Sequence, residues 1–394
     1  MTLLEREMRA CFDFFWNECS LGRDGYGLIR DRWPRHRDFA SIASVGFGLA
    51  AYCIGVEKGY VTREAAEARI LGTARTLEKL DTYKGFFRHF YHMDSGTPYR
   101  CEYSTIDTAI LLLGLHTAGN YFGGAVREAA DRIEAAVEWR FFLRSDHIFC
   151  MAYDKERGYF AQWNSYAEQL MMYVLAAASR TSHVDKTPYY TFSRPKGRYG
   201  DGRAYIYTHS GSLFTHQFSH AFIDFRGRRD REGTDWYVNA VDATIAARQF
   251  CIDDSVNHPT YNENCWGLTA CDTPWGYRGN LGNPPCGTLP DGTRAAFSLG
   301  VVPPAGALGS LPFCPDEVLS ALEYYGSRPE LSGRYGLCDA FSTELNWVAP
   351  CVIGIDKGIT LIQAANYENG FIWRWFNDAR ITDALDELEI IHRD

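Results

Sequence analysis

From residue 2 onward the chain alternates between two hydrophobic patterns. One, as in VTREAAEARILGTARTLEKL (61–80), carries a charged face and an apolar face, as a helix on the outside of a protein would. The other, as in STIDTAILLLGLHTAGNYF (104–122), is polar only at its start and apolar afterwards, as a helix surrounded by protein would be. The spacing predicts helices over 2–19, 38–58, 62–80, 104–122, 124–144, 163–180, 215–226, 234–252, 315–326 and 376–390. Inner and outer patterns taking turns along the chain predict an all-α fold, an (α/α)6 toroid built as one domain over 1–394.

Two long stretches break the helical period. Residues 189–211 alternate aromatics around a Gly- and Pro-containing turn and predict a hairpin. Residues 257–294 are rich in Gly, Pro and Trp, and loops of that length inside a compact domain usually carry function. In a toroid both would cover the rim where the inner helices begin.

Within the helix read over 163–180, Glu168 shares a stripe with Met171, Met172 and Leu175, while Tyr166, Leu170 and Val174 make the other side apolar too. A buried carboxylate needs a partner or a purpose. Two readings stand: a Glu paired with an Arg or a backbone group, or a general acid whose pKa is raised by apolar surroundings. Trp163 and Tyr166 would then offer a wall for stacking on sugar rings.

A second acidic pair occurs in CEYSTIDTA (101–109). Ser104 is placed to cap the helix and Asp107 stands where a capping box puts its acidic member, whereas Glu102 lies outside the helix with no capping duty. His216, His220 and Asp224 follow at i, i+4 and i+8, a spacing able to bind metal but better suited here to hydrogen bonding, since no second motif completes a ligand set. Arg226 is able to clamp Asp224 or balance a buried carboxylate. Asp356 sits between two glycines after an apolar run, facing a cavity or closing a simple turn. Trp266 and Tyr277 bracket a loop platform. Phosphate loops, GxSxG elbows and HExxH motifs are absent from the sequence.

Composition narrows the partners. A net charge of −9 argues against nucleic acid and anionic membrane. Twelve cysteines without CxxC spacing, and an N-terminus lacking an uninterrupted apolar core, predict a reduced, cytoplasmic protein without metal or cofactor, unless a signal segment has been trimmed away.

Taken in order, STIDTAILLLG, WNSYAEQ, HQFSHAFIDFRG, WGLTACD…GY, DGT and IDKG resemble the glucoamylase-like (glycoamylase) domain. That family includes bacterial β-1,2-glucanases and the glucan-processing domain of cyclic β-1,2-glucan synthases. The likeness runs from about residue 10 to about 385. It implies an (α/α)6 toroid and a glycoside hydrolase for β-glucan, foremost β-1,2-glucan or its oligosaccharides. By the matching W-x-x-Y-x-E segment it implies a catalytic role for Glu168, with Glu102, Asp107 or Asp356 as second carboxylate. Trp163, Tyr166, Trp266 and Tyr277 would stack on sugar, and His216, His220, Asp224 and Arg226 would hold hydroxyls. The alternatives are transglycosylation on the same glucan, a sugar epimerase using His216 and His220 to move protons, and a glycan-binding protein without turnover.

Overall fold

The computed structural model describes residues 1–22 and 24–392. Twelve helices make the frame: α1 (Leu3–Asn17), α2 (Ile42–Glu57), α3 (Arg63–Leu77), α4 (Thr105–Phe122), α5 (Gly124–Ala135), α6 (Leu170–Ala177), α7 (Phe214–Phe222), α8 (Trp236–Asp253), α9 (Pro304–Leu308), α10 (Pro315–Gly326), α11 (Gly354–Asn369) and α12 (Ala379–Glu387). Helices α2, α4, α6, α7, α9 and α11 form the inner ring. Packing runs from α2 to α4, α4 to α6, α9 to α11 and α11 back to α2. Side chains stitch the remaining joints. Ser219 of α7 bonds the carbonyl of Glu168 and the N–H of Met171, and Gln217 donates to the Gly306 carbonyl in α9. The predicted toroid is therefore closed.

Burial explains the two sequence patterns. In α2 every residue from Ile42 to Gly55 is buried, whereas in α3 the charged residues face outward. Glycine sets the closeness of α2 and α4: a Cβ on Gly114 would lie 2.0 Å from the Gly46 carbonyl oxygen. Helices α1, α3, α5, α8 and α10 form most of the outer layer. The remaining outer position is filled by the short helix Thr187–Thr191 and by α12, which packs on α6; Tyr190 Oη donates to the Leu388 carbonyl just beyond α12.

Short antiparallel strands line the rim where inner helices begin. Phe39–Ser41 pairs with Phe90–His92 before α2, and Tyr103–Ser104 pairs with Cys150–Asp154 before α4. Arg32–Trp33 pairs with Val352–Ile353 before α11, which brings a residue near the N-terminus to the last inner helix. The expected hairpin in 189–211 is present as Lys196–Gly197 with Tyr205–Ile206.

Several boundaries differ from the sequence reading. The stretch 163–169 is not helical; α6 begins at Leu170, because Ser165 pairs with Ser193 and Ser219 holds the chain ahead of the first turn. Glu168 thus stands on an irregular lead-in and not on a helical stripe. The region 351–376, read as an apolar run with a turn, contains the full inner helix α11, whose first turn carries Asp356. The helix read over 215–226 ends at Phe222, leaving Asp224 and Arg226 beyond it. Residues 124–144 divide into α5 and a short helix Trp139–Phe142.

Candidate active site

The inner-helix N-termini surround a cavity of about 330 Å3. Its polar wall is made by Asp31, Arg32, His89, Asp107, Glu168 and Tyr277, and its apolar wall includes Phe90, Phe214 and Phe218. Asp31, Arg32, Phe90 and Tyr277 also border an outer groove of about 510 Å3, reaching Phe39 and Trp347. A hairpin, Cys271–Thr273 with Gly276–Arg278, carries Tyr277 over the mouth from the long 257–294 loop.

Glu168 faces this cavity without a cation or side-chain donor on its carboxyl among the described residues. Pairing with an Arg is thereby removed; the group that bonds the carboxyl is the backbone of Glu168 itself. Burial, and then the Asp107 charge, push its pKa up to about 7.

Asp107 is held at both oxygens. Ser104 caps α4 by accepting the Asp107 N–H at 3.2 Å, and its hydroxyl donates to Asp107 Oδ2 at 2.5 Å. The other oxygen lies 3.5 Å from His89 Nε2, while His89 Nδ1 meets Glu102 Oε1 at 3.0 Å. Burial opposes a charged ring at His89, yet the Asp107 and Glu102 carboxylates keep its pKa up at about 9. Glu102 in turn is lowered by its bond to His89. It is occupied as a counter-ion.

Asp356 enters from α11, the sixth inner helix, whereas Glu168 precedes α6, the third. In a six-membered ring these stand on opposite sides. Asp356 is 8% exposed, its Oδ2 has no hydrogen-bond partner, and burial followed by the Asp339 charge raises its pKa well above the carboxylate range.

Other expected site residues lie elsewhere. His216 and His220 are buried inside α7, His220 Nε2 bonding the Trp236 carbonyl, and burial lowers their pKa values to about 3 and about 4. They are neutral core residues. Asp224 and Arg226 pair with each other at 2.7 Å beyond the far end of α7, with the guanidinium over Trp373. That distance from the rim corrects their expected role on sugar, and with Asp224 off the helix the proposed ligand spacing is broken. Trp163, Tyr166 and Trp266 are buried in the core; the indole N–H of Trp163 bonds Thr105. None of these three lines the cavity. Of the four expected stacking rings only Tyr277, half-exposed, does so.

Sequence reading passed over Asp31, Arg32, His89, Asp272 and Asp339. Each comes from a rim loop or strand with no local periodicity to mark it. Arg32 Nη1 holds Asp272 Oδ1 at 2.9 Å and its Nε holds Asp31 Oδ2 at 3.2 Å, and its guanidinium lies over the Tyr277 ring. These partners raise the Arg32 pKa against the cost of burial.

An α/α toroid with carboxylates gathered at the mouth of its inner ring defines the class. Residues 160–380 match the family model Glycoamylase, described as "Putative glucoamylase", and the chain belongs to that family. It is 26% identical to an exo β-1,2-glucooligosaccharide sophorohydrolase (non-reducing end) of Parabacteroides distasonis, across 95% of this chain and 56% of the relative. The chain thus spans about half the length of that curated relative. The fold matches a "putative glucoamylase" of Bacteroides uniformis with TM-score 0.88 and 27% identity, covering 99% of this chain and 97% of the other. It also matches an endo-β-1,2-glucanase of Chitinophaga pinensis, solved with sophorotriose and glucose, with TM-score 0.87 and 24% identity over 98% and 97% of the two chains.

Proposed function

We propose that this protein is a glycoside hydrolase of β-1,2-linked glucan or its short oligosaccharides, with Glu168 as acid and Asp356 as base. The observation that carries the reading is the Glu168 carboxyl, held in the cavity without a cation or side-chain donor among the described residues, with its pKa at about 7. A general acid must arrive protonated near working pH, and burial beside Asp107 supplies that condition. Family membership and the named relatives support the substrate class.

In the reaction Glu168 protonates the glycosidic oxygen, directly or through a substrate hydroxyl. Water adds to the anomeric carbon as the C–O bond breaks, and Asp356 takes the proton that water gives up. Asp107 is less suited as base because Ser104 and His89 occupy both its oxygens; it holds Glu168 protonated. Tyr277 and Phe90 provide ring faces for sugar, and the outer groove extends the path. The twelve free cysteines support a reducing, cytoplasmic compartment.

The test is product analysis by chromatography on β-1,2, β-1,3, β-1,4 and α-linked glucans, with Glu168→Gln alongside. Release of short products from β-1,2 substrates, falling about 10²–10⁴-fold in the folded variant, is expected. Binding without turnover in the unmodified protein, or full turnover in the variant, would refute the assignment.

A further inference from the structure

Beneath the cavity mouth lie two carboxyls that no motif predicts together. Asp339, 2% exposed, comes from the loop before Phe341–Ser342, and Asp356 from the first turn of α11. Asp339 is fixed from behind: its Oδ2 accepts the Asp272 backbone N–H at 2.7 Å, and its own N–H bonds the Cys351 carbonyl at 3.0 Å. The Asp272 carboxylate is itself held by Arg32 at 2.9 Å and by the Cys351 thiol at 2.8 Å. That leaves Asp339 Oδ1 and Asp356 Oδ2 buried, each without a donor, while the two side chains stand within hydrogen-bonding reach of one another. Two acceptors facing each other in a buried site repel unless a proton lies between them, and one proton satisfies both.

We infer that Asp339 is the positioning residue for the base: it shares one proton with Asp356, so that the pair carries a single negative charge and can take up the proton that water gives up. This rests on the assignment of Asp356 as base. Like-charge carboxyls in contact cannot both ionise at ordinary pH, and burial adds to that bias. Burial raises Asp339 to about 6, and Asp356 further still. The surrounding groups are Arg32, Asp272, Cys271 and Tyr277 on the cavity side and Cys338 and Lys357 behind. Lys357 is neutralised by Glu7 at 3.0 Å. Arg32 is shared between Asp31 and Asp272, so neither cation supplies a dedicated partner for the pair.

Asp339→Asn keeps a donor toward Asp356 and should retain kcat within about threefold, whereas Asp339→Ala removes the donor and should lower kcat by at least about tenfold with KM little changed. A spectroscopic arm separates this from packing. In a Glu168→Gln background, infrared spectra above pH 7 should show a protonated carboxyl band that Asp339→Asn abolishes. Loss of that band fits removal of the like charge, which lets Asp356 ionise. Absence of the band in the background protein, or equal kcat losses for Asn and Ala in folded variants, would overturn the inference. Full activity of Asp356→Asn would instead remove the assignment on which it rests.

Discussion

Glu168 faces the cavity from an irregular lead-in, not from the helical stripe that its neighbours in sequence suggest. The apolar stripe that drew attention to it does not exist, since its segment is not helical. Its environment is nonetheless apolar because Phe214 and Phe218 of a neighbouring inner helix line the same cavity. Raised from 4.5 to about 7, Glu168 binds its proton more tightly in the folded chain. Between those values the folded state carries more protons than the unfolded one, so stability falls as pH rises. At about 1.4 kcal/mol per unit the loss is about 3–4 kcal/mol at most. Glu168→Gln should therefore raise the melting temperature at pH 8 and leave it nearly unchanged at pH 4, which thermal scans of both proteins would check. Activity should fall as pH climbs through about 7, where the acid loses its proton; a kcat/KM profile flat to pH 9 would rule out this acid.

At the scale of elements, α7 and α11 show what periodicity conveys and what it hides. The histidines of α7 were read as groups for sugar, but they point into the core and are neutral there. Their pKa values are depressed by burial, so the unfolded chain takes up protons first. Stability should drain away as pH falls through about 6.5 toward about 4. Urea midpoints measured across that range, for the protein and for His216→Asn, should show a weaker acid loss in the variant. Helix α11 went unrecognised because its polar residues do not follow one face: Lys357 and Asp356 are both buried. Lys357 crosses to Glu7 of α1 at 3.0 Å and to the Leu337 carbonyl at 2.6 Å. Lys357→Met leaves the Glu7 charge buried without its cation and should cost about 3–5 kcal/mol, read as a lower urea midpoint at constant slope.

At the scale of the whole molecule, ring closure puts Glu168 and Asp356 on opposite sides of the inner ring. Wide separation leaves room for water between sugar and base, about 6.5–9.5 Å between carboxyls in inverting enzymes against about 5–5.5 Å in retaining ones. Hydrolysis should invert the anomeric centre. Proton NMR of the first product formed from a β-linked substrate should show the α-anomer, and a β-anomer would point to a covalent intermediate. The same view bears on the cysteines. All twelve are free, most of them buried as small apolar side chains, and twelve thiols should titrate in denaturant without reductant.

The sequence by itself determined the alternation of inner and outer helices, hence the toroid, and the polar starts of inner helices, hence the rim where chemistry gathers. Both follow from burial, a property written locally in residue period. Ser104 with Asp107 was legible for the same reason, since a cap lies within one turn of what it caps. Tertiary structure alone decided which acids meet. Arg32 reaches Asp272 across 240 residues, and Asp339 meets Asp356 because the rim loop before Phe341–Ser342 lies beside the first turn of α11. It also decided that Trp163, Tyr166 and Trp266 fill the core while Tyr277 faces the cavity. An aromatic ring has the same composition in either place, and only the packing around it determines whether sugar or protein covers its face.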